Sequence, residues 1–234
     1  MKDYFEKLYK NSAQSFKKTM IRNLKQNKKM FIVTANPETF MYAKKKNEFS
    51  ELLLDPCTTL VADGIGLVKA ANYLGFEIEE RIPGIDLATH LLKHGHRLRK
   101  TIYLFGARQE VVDQLIAAVK VKYPNLNIIG SSNGYVENKD IIFNDIKSKK
   151  PDIILVAMGI PLQEELIYKH LSDFDKGIFV GVGGSFDVIC GYKKRAPKII
   201  RKLNLEWLYR LVSEPTRIKR FYYNNIKFFF SLKK

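Results

Sequence analysis

Val61–Leu87 reads VADGIGLVKAANYLGFEIEERIPGIDL, and the fold follows from how this stretch opens. An apolar run, Thr58 to Ala62, ends in a carboxylate, Asp63; Gly64 and Gly66 follow, and then a helical pattern begins. A strand running through a glycine turn into a helix is the repeating unit of an α/β domain. The crevice at such strand ends is where these domains hold ligands. The helix start also offers unpaired N–H groups to an anion. Further on, Glu80-Arg81-Ile82-Pro83-Gly84-Ile85-Asp86 adds a cation and a second carboxylate on a turn formed by Pro83 and Gly84.

The same unit recurs on both sides. Upstream, Met30 to Val33 has strand length and ends in Thr34-Ala35-Asn36-Pro37. Asn36 before Pro37 starts a helix, expected from about Glu38 through Ser50. Residues 1–29 mix Phe5, Leu8, Tyr9, Phe16, Ile21 and Leu24 with lysines and predict a helix or helix-turn packed loosely on the domain. After Gly64 the helix is expected from about Ile65 to Leu74, with Gly75 as its C-cap. A further helix over 85–95 closes near Gly95. Downstream, Thr101 to Phe105 is a strand, Gly106 a tight turn, and Gln109 to Lys122 a helix. Asn127 to Gly130 is a short strand, 131–135 a polar loop and 141–149 a helix. Asp152 to Met158 has the continuous apolar character of a strand buried on both faces. It turns through Gly159-Ile160-Pro161 into a helix carrying Gln163 and Glu164. Gly177 to Val182 is the last strand, followed by Gly183-Gly184-Ser185-Phe186-Asp187. Six strands alternating with helices predict a Rossmann-like α/β fold, a parallel sheet with right-handed crossovers. Its C-terminal edge should gather Thr34, Asp63, Gly106, Gly159 and Gly183.

At 234 residues the chain fits one α/β domain, 1–191, with an appendage, 192–234. Its 46% apolar share can supply a core. The net charge of +16 points to a polyanionic partner or an anionic surface. Most of it lies in the appendage, where thirteen Lys or Arg face two acids, Glu206 and Glu214. Two amphipathic helices fit there. The first spans about Pro197 to Val212, with Ile200, Leu203, Trp207, Leu208 and Leu211 on one face. The second starts at Pro215: Arg217, Arg220, Asn224 and Lys227 form a polar stripe, and Ile218, Phe221, Tyr222, Phe228, Phe229 and Leu232 an apolar and aromatic surface. Aromatics beside Lys and Arg on a short helix suit an interfacial anchor, and anionic lipid would add about 1 kcal/mol per basic residue held near it. No window reaches the ~20 apolar residues of a membrane span, and residues 1–26 lack the pattern of a signal peptide. Cys57 and Cys190, far apart and without metal-ligand spacing, read as reduced, intracellular and structural.

Taken together, TANPE (34–38), ADGIG (62–66) with ERIPGIDL (80–87), YLFGA (103–107), MGIPLQE (158–164), GVGGSFD (181–187) and KRAPKIIRKLNLEWLYRLVSEPTR (194–217) form an ordered set. Over residues 30–220 this set resembles the WecG/TagA/CpsF glycosyltransferases. The resemblance implies transfer of an N-acetylmannosamine-type sugar from UDP to polyprenyl-diphosphate-linked N-acetylglucosamine, with inversion and without a metal or other cofactor. It implies work at the cytoplasmic face of the membrane, as a peripheral protein, in building teichoic acid linkage units, common antigen or capsule-like polymers. By the same resemblance Asp63 is the base, Thr34 and Asn36 line the sugar pocket, and Arg81 and Gln163 sit in it. The basic appendage, with Arg210, Arg217 and Arg220, completes the site against the lipid-linked acceptor.

The chemistry of these residue types agrees. An inverting transfer needs a base for the acceptor hydroxyl proton, and a strand-end aspartate beside glycines can be one; the alternative is that Asp63 only caps its helix. Capping is also the alternative for Thr34 and Asn36. A diphosphate leaving group needs its charge neutralised, and the planar fork of arginine grips phosphate oxygens. For Arg210, Arg217 and Arg220 the alternative is a plain basic face, for Arg81 an ion pair with Glu79, Glu80 or Asp86, and for Gln163 a surface helix position. Gly106, Tyr135, Gly183 and Asp187 are candidates to line the nucleotide, the glycines by close approach and Tyr135 by stacking on uracil. Asp173-Phe174-Asp175 has the form of a metal-binding Asp-x-Asp, but lies before a strand, at the wrong edge of the sheet, and reads as a solvated turn. His90 and His94, at i,i+4, lack a third ligand in a known arrangement and read as surface residues. Gly64-x-Gly66 lacks the third glycine of a dinucleotide fingerprint. A basic nucleic-acid-binding module is the alternative function; charge confined to one end and no aromatic RNA-binding motif weigh against a nucleic acid partner. The donor sugar and self-association into a homo-oligomer stay open.

Overall fold

The computed structural model describes residues 1–232; the side chains of Arg217, Arg220 and Asn224 lie outside the described residues. Six strands, β1 (Lys29–Ala35), β2 (Thr58–Ala62), β3 (Thr101–Gly106), β4 (Asn127–Ser132), β5 (Ile153–Ala157) and β6 (Gly177–Gly181), form one sheet in the order β2-β1-β6-β5-β3-β4. Every pair in it is parallel. The helices of the N-terminal half are α1 (Lys2–Lys7), α2 (Ala13–Lys25), α3 (Pro37–Ala43), α4 (Asn47–Leu54), α5 (Ile65–Tyr73) and α6 (Gly84–Arg97). Those that follow are α7 (Gln109–Lys122), α8 (Lys139–Lys149), α9 (Leu162–His170), α10 (Ser185–Ile189), α11 (Lys198–Lys202), α12 (Glu206–Ser213) and α13 (Ile218–Ser231). Successive strand residues point to opposite faces, and both faces are covered. Phe31, Val33 and Phe179 enter one core layer; Ile32, Ile178 and Val180 enter the other. That is why the central strands read as unbroken apolar runs.

Several expected elements differ. The long helix after Pro37 is two, α3 and α4, parted at Lys44–Lys46. Phe40 and Phe49 are nine residues apart, half a revolution on one straight helix, so the break lets both be buried, at 0% and 1% exposure. The N-terminal segment is not loosely attached. Phe5, Phe16, Met20 and Leu24 are buried, and the Tyr9 N–H donates to the Leu60 carbonyl at 2.8 Å, covering the edge strand β2. The helix over 85–95 runs on through Gly95, which is there because a Cβ would stand 2.8 Å from Leu126 Cδ1 and 2.9 Å from Ile153 Cδ1. The helix from Pro197 is also two, α11 and α12, divided at Asn204, whose φ of 58° is left-handed. Of its expected apolar face, Leu203, Trp207 and Leu208 are exposed. Phe228 is the reverse, expected on the surface of the second helix and found fully buried against Phe5 and Phe40. Cys57 is exposed, not a core residue.

The chain leaves β1 for β2 on one flank, while β6, reached last, sits on the other. The connections therefore diverge between β1 and β6, and a crevice opens at their C-terminal ends.

Candidate active site

Three segments converge on the β2–β1 end of this crevice. The Asp63 N–H donates to the Ala35 carbonyl at 2.8 Å, continuing the β1–β2 pairing past the strands. The Ile82 N–H donates to the Ala62 carbonyl at 2.6 Å, which pins the 80–86 turn beside Asp63. Gly84 then lies against Thr34, so closely that a Cβ would stand 3.2 Å from Thr34 Oγ1. Gly64 borders Asn36 and Pro37, and Gly66 borders Pro37 and Phe229 of α13. The C-terminal helix thus lies on the same side of the molecule as Thr34 and Asp63.

Asp63 does not cap α5. The N-cap is Gly64, without a side-chain cap bond. Its carboxyl is pushed up to about 6 by burial, although its surface is not wholly closed to solvent. Arg210, Arg81 and the Gly84 amide pull it back toward the charged form, and Glu206 opposes them. A carboxylate poised near neutrality beside two guanidiniums is the electrostatic setting of a general base.

The other candidates fall into two classes. Thr34 is buried and its hydroxyl donates to the Gly181 carbonyl at 3.2 Å, tying β1 to β6 at the crevice. Asn36 Oδ1 caps α3 by accepting from the Glu38 and Thr39 amides at 2.9 and 3.2 Å, so capping is one of its roles. Gln163 is buried, not on a helix surface. Its Oε1 accepts from the Gly159 and Gly183 amides at 3.1 and 2.9 Å, and its Nε2 donates to Glu164 Oε1 at 2.7 Å. Gln163 therefore shapes the two glycine turns. Arg81 pairs with Glu206 at 3.3 Å, not with Glu79, Glu80 or Asp86. Arg210 pairs with the same carboxylate at 3.1 Å. The side chains of Arg217 and Arg220 lie outside the described residues.

Gly106, Tyr135, Gly183 and Asp187 belong to the same strand edge, away from Asp63. Asp63 and Gly106 end strands four places apart, about 19 Å at the usual strand spacing. Gly106 has a φ of 120°, and a Cβ there would strike the Ala157 carbonyl, so only glycine fits where β3 turns out of the sheet. The Gly134 N–H donates to the Ala107 carbonyl at 2.9 Å, bringing the exposed Tyr135 ring alongside that turn. Beyond Gly183 the space is open. Asp187 acts electrostatically on Arg108, whose guanidinium lies 5.1 Å from the Tyr192 ring centre.

Sequence reasoning did not single out Glu206, Arg195, Glu164, Arg108 or Tyr192 as site residues. Glu206 carried a signal, being one of two acids in a strongly basic segment. Arg195 bridges Asp86 at 2.6 Å and Glu206 at 3.5 Å. Glu164 is wholly buried, its Oε2 has no partner, and burial pushes it up to about 7.

The remaining clusters lie away from the crevice, and His90 and His94 are half-buried rather than surface residues. Asp173 pairs with Lys147 at 3.1 Å and His170 at 3.5 Å, before β6 and far from the crevice. The His90 and His94 rings stand 4.3 Å apart, and burial, with neighbouring cations, pushes both below the ordinary histidine range. Among the described residues no group of three His, Cys, Asp or Glu could hold a metal, and no helix is long and apolar enough to cross a membrane. At the opposite end of the sheet, a concavity of about 390 Å³ lined by Tyr9, Phe16, Lys29, Phe31 and Cys57 contains no carboxylate.

The profile of the glycosyl transferase WecG/TagA/CpsF family matches residues 7–234. A Staphylococcus aureus (strain MW2) protein named N-acetylglucosaminyldiphosphoundecaprenol N-acetyl-beta-D-mannosaminyltransferase is 43% identical over 204 residues, 87% of this chain and 79% of its own length. A Bacillus spizizenii protein of the same name is 39% identical over 197 residues, 84% of this chain and 76% of its own.

Proposed function

Because the chain belongs to the WecG/TagA/CpsF family of glycosyltransferases, we propose that it moves an N-acetylmannosaminyl group from a UDP-sugar to N-acetylglucosamine carried on a polyprenyl diphosphate. The names of the relatives support the sugar and the acceptor. The observation that carries the reading is Asp63 itself, a carboxylate beside two arginines at the crevice, pushed up to about 6. In the step, an acceptor hydroxyl oxygen attacks the anomeric carbon from the face opposite UDP. The new C–O bond forms as the bond to the UDP oxygen breaks, so the configuration inverts. Asp63 takes the hydroxyl proton. The leaving diphosphate takes the bonding electrons, and Arg81 and Arg210, with Arg217 and Arg220 of the same segment, neutralise its charge.

The glycine turn at Gly106, with Gly183, Asp187 and the exposed Tyr135, takes the nucleotide end. The basic C-terminal segment takes the lipid end, on the anionic cytoplasmic leaflet. No observation favours a nucleic-acid-binding module.

The test is transfer from a panel of UDP-sugars to a short-chain lipid-diphosphate N-acetylglucosamine. The expected result is product with UDP-N-acetylmannosamine, undiminished by EDTA, and loss of about 10²- to 10⁴-fold in kcat in Asp63→Asn. No product with any UDP-sugar overturns the activity. Near wild-type transfer by Asp63→Asn overturns the base.

A further inference from the structure

α12 is attached to the protein in an unusual way. Trp207, Leu208 and Val212 are exposed, and Glu206 is the helix's one buried residue, at 4% exposure. A helix lying on a globular domain ordinarily turns its apolar stripe inward and its charges outward. Here a carboxylate points in, and it meets three guanidiniums. Glu206 Oε2 is 3.3 Å from Arg81 Nη2, and Oε1 is 3.1 Å from Arg210 Nη2 and 3.5 Å from Arg195 Nε. Arg81 comes from the turn beyond β2, Arg195 from the link after α10, and Arg210 from the next turn of α12 itself. Arg195 is anchored in addition 2.6 Å from Asp86, in the first turn of α6. One side chain thus joins three segments that are far apart in sequence.

We propose that Glu206 is a positioning residue that latches α12 onto the catalytic face and holds Arg81 and Arg210 beside Asp63. A carboxylate has about four acceptor positions, enough for these three donors. Without its charge, the half-buried Arg81 and Arg195 and the exposed Arg210 repel one another and the helix loses its inward contact. The proposal rests on the reading of Asp63 as the base. Asp63 is faced by Arg210 and Glu206 from α12 and by Arg81 and the Gly84 N–H from the 80–86 turn. Glu206 is faced by Arg81, Arg195 and Arg210.

The measurement is kcat/KM against pH for the full chain, with amide exchange of residues 206–213 and a thermal melt as control. In Glu206→Gln, kcat/KM is expected to fall about 100-fold, the cost of loosely held reacting groups. The acid limb is expected to move to higher pH, because Arg210 and Arg81, each lowering Asp63 more than Glu206 raises it, are no longer held beside it. Exchange in α12 is expected to accelerate while the melt of the sheet domain stays in place. A limb that stays in place or moves to lower pH overturns the proposal, since the arginines would then still face Asp63. If Glu206→Gln fails to fold, Glu206→Asp decides. It keeps the charge on a shorter arm, so kcat/KM is expected to fall and the limb to rise, each by less than in Glu206→Gln. Wild-type kcat/KM with a wild-type limb in that variant overturns the latch. Asp63→Asn is assayed alongside. Its activity would reject the base itself, whereas its inactivity with an unmoved Glu206→Gln profile rejects only the latch.

Discussion

Asp63 and Glu164 are both buried carboxyl groups near the crevice, raised to about 6 and about 7, and burial is the leading cause for each. Their partners differ. Asp63 has arginines and an amide that favour its charge; Glu164 has one bond, from Gln163, and an oxygen with none. A folded pKa above the unfolded one means that stability is greatest at low pH and is lost as pH rises through the folded value. For Asp63 that window runs from about 4 to about 6. Asp63→Asn is therefore expected to be at least as stable as wild type at pH 7, by on the order of 2 kcal/mol, while losing transfer. A fall in its melting temperature at that pH would contradict this. For Glu164 the window runs from about 4.5 to about 7. Glu164→Gln keeps an oxygen to accept from Gln163 and removes the charge. Its melting temperature should exceed wild type more at pH 8 than at pH 5; an equal difference at both would show that Glu164 does not titrate in that window.

Among elements, those with one dominant periodicity were legible. Each of the six strands is found where an apolar run between turn residues placed it, and Asn36-Pro37 starts its helix as a capping box. Boundaries were missed where packing overrides local pattern. Gly95 continues a helix it would ordinarily end, because α6 must lie close to Leu126 and Ile153. The faces of the last helices were misjudged for a related reason. The apolar stripe of the second helix was read as an interfacial surface, and neither Phe228's place beside Phe5 nor the inward turn of Glu206 can be read without the tertiary partners. On α13, Ile218, Tyr222 and Phe230 are exposed and recur at multiples of four, one outward stripe. Replacing all three with serine should lower sedimentation with anionic vesicles several-fold and leave the melting temperature within about 1 °C, since exposed positions contribute little to stability. Undiminished sedimentation would show that this stripe is not the membrane contact.

At the level of the whole molecule, the sheet order decides which distant residues meet. The α/β class and the shared strand edge were readable from the alternation of elements. The order β2-β1-β6-β5-β3-β4 was not, because nothing local in the chain says that β6 inserts beside β1. That insertion places Gly181 against Thr34 and leaves three strands between the one that leads to Asp63 and the one that ends at Gly106. The edge thus carries Asp63 and its arginines toward the β2 side and the Gly106 turn toward the β3 side. Asp63, Arg81 and Arg210 were singled out by residue type and motif. Glu206, which joins two of these cations, escaped notice because one of two acids among thirteen bases looks like a solvated counter-ion.

The contact between Phe228 and Phe5 has a consequence for how the protein is made. During translation Phe5 leaves the ribosome long before the ring that completes its surroundings. Until then Phe5 and Phe40 lack a neighbour, and the core on that face of the sheet stays unfinished. A product truncated before α13 would thus lose part of its core together with the helix whose Phe229 borders Gly66.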